Sequence, residues 1–485
     1  VLDAARRATF LGARRAEAVG ALAVLAGAAW TPFVTKPLSP DEGGFLLVAS
    51  QWGPGTSLYG DYWVDRPPLL IGLFQLADLA GGAVALRLLG IVAVVVSVLL
   101  AGELGRLLAP GRPVAAVAGA ATAAIFLATP FFGTTEVNGE LLAMPFVLGG
   151  LLALARRWWA PAGVLAVAAA AVKQSEVDVV VAAVVVLGML LWRRQWRTAA
   201  AAAASFAIGA LAASGVILWW AAVRGTYPSE LWDAVVTFRG QAAAVISSSA
   251  SSATGDRAHD LWTAFLASGA AALPVVALVP GRRRHRTVAA APVDVRPLAV
   301  ALLLWEALVV ICGGSYWLHY LLATVPGLVL LVVATVRHRP ERWRWTTGVL
   351  AYAGVTTVAS VVALTVLGTG TPADAEVQRY LVAQKGAGDT AVVAFGDPAL
   401  LRATGMSSPY PLVWSLPVRV RDPHLAGLTQ VLQGPERPTW VVVDGASLAT
   451  WGVDDSVAQP VLERRYELRR VIDDWYVYHV RDRED

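Results

Sequence analysis

Residues 83–108 read AVALRLLGIVAVVVSVLLAGELGRLL, and this stretch decides the fold. Its three charged residues, Arg87, Glu103 and Arg106, lie towards its two ends. As a helix rising about 1.5 Å per residue it is about 39 Å long, enough to cross the roughly 30 Å hydrocarbon core of a bilayer. Ten further apolar runs are found, near 17–35, 114–131, 140–155, 160–174, 177–192, 198–222, 261–279, 297–313, 317–336 and 345–368. The whole composition agrees: 56% of the 485 residues are apolar and 15% charged, against about 25% charged in a soluble domain. The sequence therefore predicts a mainly α, polytopic membrane protein with about eleven transmembrane helices. The lone cysteine, Cys312, lies inside an apolar run, so a disulfide framework and a thiolate metal site are both excluded. Three lysines stand against 36 arginines, a skew that points to a GC-rich bacterial genome.

The loops between the runs alternate in charge. Arg6, Arg7, Arg14 and Arg15 precede the first run, and arginines recur at 112, 156/157, 193/194/197, 282–286 and 337–344. The intervening loops carry Asp41, Glu42, Asp61, Asp65, Glu136, Glu140, Glu176, Asp178, Glu230, Asp233, Asp256 and Asp260. Since cytoplasmic loops are enriched in Arg and Lys, this pattern places the N-terminus inside and the C-terminus outside a bacterial plasma membrane. No small-residue cleavage site follows the first run, which is expected to stay as a span. Tryptophans at run ends, among them Trp30, Trp158, Trp192, Trp219 and Trp317, suit an interfacial belt.

Two domains are expected: residues 1–370 in the membrane, with a long first outer loop at 36–82, and residues 371–485 as a small soluble extracytoplasmic α/β domain. Residues 373–485 contain 12 basic and 16 acidic residues, a net −4 that leaves +8 for the rest of the chain. Strands are expected at 390–395, 439–443 and 471–480, and helices at 373–385, 398–404 and 456–468. No dinucleotide or P-loop fingerprint occurs there. The first loop has two amphipathic stretches, 43–52 and 68–80, expected to lie at the interface. The serine-rich 247–252 segment reads as a mobile loop.

The chemistry concentrates in the outer loops. Ser39-Pro40-Asp41-Glu42-Gly43-Gly44 sets two carboxylates behind a proline. Asp41 is either the N-cap of a helix beginning at Glu42 or a reactive base, and the two roles are compatible. Asp65-Arg66-Pro67-Pro68 can start the next helix, with Arg66 as an anion contact or as a partner of Asp65 or of lipid phosphate. Lys173 either adds to a cationic site, snorkels, or pairs with Glu176. Glu103 and Arg106 form an i,i+3 pair, and Glu306 serves internal packing.

Pro-Asp-Glu after the first span, an acidic-basic-Pro-Pro motif about 25 residues on, and Arg87-Leu88-Leu89 opening the second span together resemble the GT-C glycosyltransferases. Within that fold the sequence is most similar to enzymes using polyprenyl monophosphate sugars, such as the aminoarabinose lipid A transferases and protein O-mannosyltransferases. The resemblance implies an inverting glycosyltransferase with Asp41 as the general base. It implies Arg66 near the donor phosphate and a His-Tyr motif at His319; because the leaving phosphate needs positive charge, Arg87, His319 and Lys173 are the further candidate cations. Glu42, Asp65, Glu136, Glu140 and Tyr320 are the expected substrate contacts, with either Glu136 or Glu140 as the second acidic residue. No cofactor is required; a divalent metal on Asp41, Glu136 and His319 stays open. The expected partners are a polyprenyl-phosphate-linked sugar, a cell-envelope glycan, lipid or protein acceptor, and membrane lipids, with no nucleic acid. Arabinofuranose or mannose is the sugar suggested by analogy. The alternatives are a lipid-linked-sugar flippase, against which the lack of an internal repeat counts, and a non-catalytic assembly protein.

Overall fold

The computed structural model describes residues 2–248, 252–278, 291–368 and 373–481. The chain falls into two compact units. The first comprises Val1–Val34, Arg87–Val216 and Ser251–Leu367, and the second Thr35–Leu86, Ile217–Ala250 and Gly368–Asp485. In chain order the helices up to residue 368 are α1 (Leu2–Ala28), α2 (Pro40–Gln51), α3 (Pro68–Leu79), α4 (Ala83–Leu108), α5 (Val114–Phe126), α6 (Gly139–Ala155), α7 (Trp159–Val172), α8 (Asp178–Trp192), α9 (Trp196–Val223), α10 (Pro228–Trp232), α11 (Phe238–Ser248), α12 (Ser252–Ala267), α13 (Ala272–Leu278), α14 (Val295–Cys312), α15 (Val325–His338) and α16 (Trp343–Val366).

Each apolar run forms helix, because in lipid the backbone has only itself to bond with. Among the described residues six helices are long and apolar enough to cross a membrane, and α12 with α13, bent by 56°, makes a seventh if the pair is one span. Helices α5, α6, α7 and α8 are shorter, at 13, 17, 14 and 15 residues. The abundance of Ala and Gly has a packing reason in the first unit. A Cβ on Gly163 of α7 would overlap the Phe206 carbonyl of α9, and one on Gly209 would overlap the Ala160 carbonyl, so two backbones touch at a reciprocal glycine crossing. Gly105 against Ala115 and Gly119 against Ala101 do the same for α4 and α5. Trp30 Nε1 donates to the Leu127 carbonyl at 2.9 Å, which ties the end of α1 to the end of α5.

Glu306, expected only to pack, caps a neighbouring helix. Its Oε1 accepts from the Gly327 N–H at 2.7 Å, one of the amides that the first turn of α15 leaves without an intrahelical partner. Glu103 bonds Arg106 at 2.6 Å as its spacing suggests, and Arg156 completes the cluster at 2.5 Å.

In the second unit α2 is not an interfacial helix, for Glu42 to Ala49 are all buried. Beyond residue 372 come α17 (Ala373–Gln384), β1 (Ala391–Ala394), α18 (Pro398–Thr404), α19 (Ser415–Arg421), α20 (Ala426–Gln433), β2 (Trp440–Asp444), α21 (Ala458–Arg465), β3 (Tyr466–Ile472) and β4 (Trp475–Val480). The sheet order is β1-β2-β4-β3, with β1 and β2 parallel and the other pairs antiparallel. Its apolar face packs on Val418, Leu428, Leu432, Val461 and Leu462 of the helices. The single strand expected at 471–480 is instead a hairpin turning at Asp473, whose φ of 50° fits a tight two-residue turn. Ser247 and Ser248 end α11 rather than forming a loop, while 249–251 and the arginines at 282–286 lie outside the described residues.

Candidate active site

The sequence-predicted site residues form two clusters, one in each unit. In the second unit the cluster starts at the head of α2. Ser39 is the N-cap: its Oγ accepts from the Glu42 amide at 3.3 Å and the Glu42 carboxylate accepts from the Ser39 amide at 3.0 Å. This reciprocal capping box corrects two expectations. Asp41 is not the cap, so the capping role does not occupy its carboxylate. Glu42, expected to contact substrate, is fully buried and committed to the cap.

Asp41 Oδ1 instead accepts from Trp414 Nε1 at 3.2 Å. The Trp414 ring lies 5.6 Å from the Phe45 ring, and the Arg66 guanidinium sits 5.4 Å over the other arm of the same pair, the Phe45 ring. Asp65 bridges two guanidiniums, Arg66 at 2.7 Å and Arg239 of α11 at 2.7 Å. Burial alone would raise the Asp65 pKa, but Arg239 and then Arg66 outweigh it and hold the carboxyl below its ordinary value. Asp65, expected to touch substrate, is thus the counter-ion that orients two cations, and Arg239 is a cation that sequence reading missed. Pro67 and Pro68 start α3 as expected.

The first unit holds the other cluster. Asn138 caps α6 by accepting from the Leu141 amide at 3.0 Å, which leaves Glu140 at the second helical position. Glu140 pairs with Lys173, the C-cap of α7, and the Lys173 ammonium lies 4.9 Å over the Tyr320 ring. Lys173 therefore pairs with Glu140, not Glu176. His319 stands between two carboxylates, Nδ1 at 3.5 Å from Glu136 and Nε2 at 3.9 Å from Glu140. Glu136, Glu140, His319, Lys173 and Tyr320 are thus brought together. Arg87 is 2% exposed and its Nη1 donates to the carbonyls of Phe33 and Thr135, which ties two chain turns together. Among the described residues no group of three or more His, Cys, Asp or Glu side chains is placed to hold a metal ion, so the donor set does not fit one and no step is routed through a metal.

The profile of glycosyltransferase family 87 matches residues 67–311, just over half the chain. The chain belongs to glycosyltransferase family 87. It is an enzyme that transfers sugar, which sets aside the flippase and the assembly protein. Comparison with curated proteins finds no match. Two solved structures are similar in fold, both of ArnT from Cupriavidus metallidurans. The undecaprenyl phosphate-bound form is 14% identical with a TM-score of 0.56, covering 96% of this chain and 97% of ArnT. The apo form is 14% identical with a TM-score of 0.59, covering 98% of each chain. The shared architecture is the GT-C fold of a multi-pass membrane protein.

One glycine fixes His319 within this glycosyltransferase. Gly133 has φ +66°, and a Cβ there would lie 2.9 Å from the His319 amide nitrogen. Gly133→Ala is expected to leave the protein folded but to lower transfer by about tenfold or more, because displacements of about 1 Å are costly at a reacting centre. Sugar transfer by the purified variant measures this, and wild-type activity would remove His319 from the site.

Proposed function

We propose that this enzyme takes a sugar from a polyprenyl-phosphate carrier and transfers it, with inversion, to a hydroxyl of a cell-envelope glycan, lipid or protein at the extracytoplasmic face. The observation that carries the reading is Asp41: a carboxylate at the head of α2 whose capping work is done by Ser39. The fold shared with ArnT, solved with undecaprenyl phosphate bound, supports the carrier. Arabinofuranosyl and mannosyl donors are the first to try.

In the reaction the acceptor oxygen attacks the anomeric carbon from the face opposite the phosphate. The new C–O bond forms as the bond to phosphate oxygen breaks, the electron pair leaves on the carrier phosphate, and the hydroxyl proton passes to Asp41. A base held at the reacting hydroxyl is worth about 10²–10⁴-fold. Arg66, oriented by Asp65, is assigned to the carrier phosphate, since a guanidinium can bind phosphate through two parallel hydrogen bonds. Lys173 and His319 are assigned as further cations that stabilise the leaving charge, and Glu136, Glu140 and Tyr320 as substrate contacts.

Asp41→Asn tests the assignment, since the amide keeps the shape but cannot take the proton. Transfer should fall by at least about 10²-fold with donor binding retained. Retention of more than a tenth of the activity would exclude Asp41 as the base.

The proposed topology has eleven spans, a cytoplasmic N-terminus and an outer C-terminal domain, with α5 to α8 crossing together with their flanking apolar turns. With the exposed Cys312 replaced by serine, a membrane-impermeant maleimide should label Asp61→Cys in intact cells and leave Arg194→Cys unlabelled. Labelling at 194 from outside would overturn the topology.

A further inference from the structure

We infer that Trp414, contributed by the segment beyond residue 372, is a positioning residue that holds the Asp41 carboxylate in its working orientation through the indole N–H. The inference rests on Asp41 being the base, and deepens that reading by naming what aims it.

Three observations carry it, all inside the second unit. The first is the 3.2 Å bond from Trp414 Nε1 to Asp41 Oδ1, which joins residues 373 apart in sequence. The second is the glycine pair that follows the carboxylates. A Cβ on Gly44 would overlap the Trp414 ring and lie 2.6 Å from Pro398 Cγ, and a Cβ on Gly43 would overlap Ala399. Positions 43 and 44 therefore have no room for a side chain, and the start of α2 lies directly against α18 and the indole. The third is that the segment leading to Trp414 is tied down before it arrives. The Ser408 amide donates to the Tyr62 hydroxyl at 3.0 Å, and the Trp63 amide donates to the Pro411 carbonyl at 3.0 Å. The indole is thus delivered from a fixed strap to a fixed helix.

The consequences for Asp41 are specific. An N–H donor on one carboxylate oxygen favours one rotamer of the side chain, which is the kind of pre-orientation a proton acceptor needs. Through its contact with Phe45, whose ring carries the Arg66 guanidinium, the indole also sets the spacing between base and cation.

The test removes the N–H and little else. Trp414 is replaced by benzothienylalanine, an isostere with sulfur in place of the N–H, and separately by phenylalanine. The full-length enzyme is then assayed with a polyprenyl-phosphate-linked sugar. Both variants are expected to lose about tenfold or more in kcat with the donor KM changed less than about twofold. If the isostere keeps the wild-type kcat while Asp41→Asn is inactive, the inference is wrong and the base assignment stands. If Asp41→Asn is itself active, the base assignment has failed. A Phe variant that loses stability or donor affinity, beside an isostere with the wild-type kcat, assigns Trp414 to packing alone and also overturns the inference.

Discussion

The close approach of Trp414, Pro398 and Ala399 to the glycine pair at 43 and 44 is the contact on which the second unit depends. It fixes where α2 begins, and α2 carries Asp41 at its head and Phe45 one turn later. Phe45 in turn packs edge-on against Phe74 of α3 at 5.3 Å and lies beneath the Arg66 guanidinium. A side chain at either glycine would push α18 and the indole off the helix, and everything placed by α2 would shift with it. The segment beyond residue 372 is thus part of what shapes the carboxylate motif, although its own sheet and helices have a separate apolar core.

The charges of the first unit obey a different constraint. Buried ions in a membrane protein need partners, and here each cation in the candidate cluster already has one. Lys173 is held by Glu140 and the Tyr320 face, and His319 lies between Glu136 and Glu140. Arg87 donates to two backbone carbonyls. On the donor reading proposed above, a phosphate reaching Lys173 has to compete with Glu140 for it.

What the sequence made legible was what local composition controls. Among the described residues each apolar run is mostly helical because its hydropathy forces it out of water, but the helix ends depart from the run ends where a turn intervenes. The 114–131 run stops as helix at Phe126, and residues 318–324 form a 3-10 turn before α15, whose start is set by Pro326. The Glu42 cap was legible and passed over: Ser39-Pro40-Asp41-Glu42 has the S-x-x-E spacing of a capping box. Arg239 and Trp414 left no local signal, because the groups they bond lie far away in sequence. The two carbonyls that accept from Arg87 are likewise visible only in the folded chain.

The central claim is that the sugar comes from a lipid-linked phosphate. The measurement that addresses it most directly offers the purified enzyme, in detergent with an envelope-derived acceptor, a labelled sugar on polyprenyl phosphate beside the same sugar on a nucleotide. Label moving to acceptor from the polyprenyl donor, with free polyprenyl phosphate accumulating in equal amount, is the result predicted here. Label moving only from the nucleotide sugar, with the polyprenyl donor left intact, would contradict it.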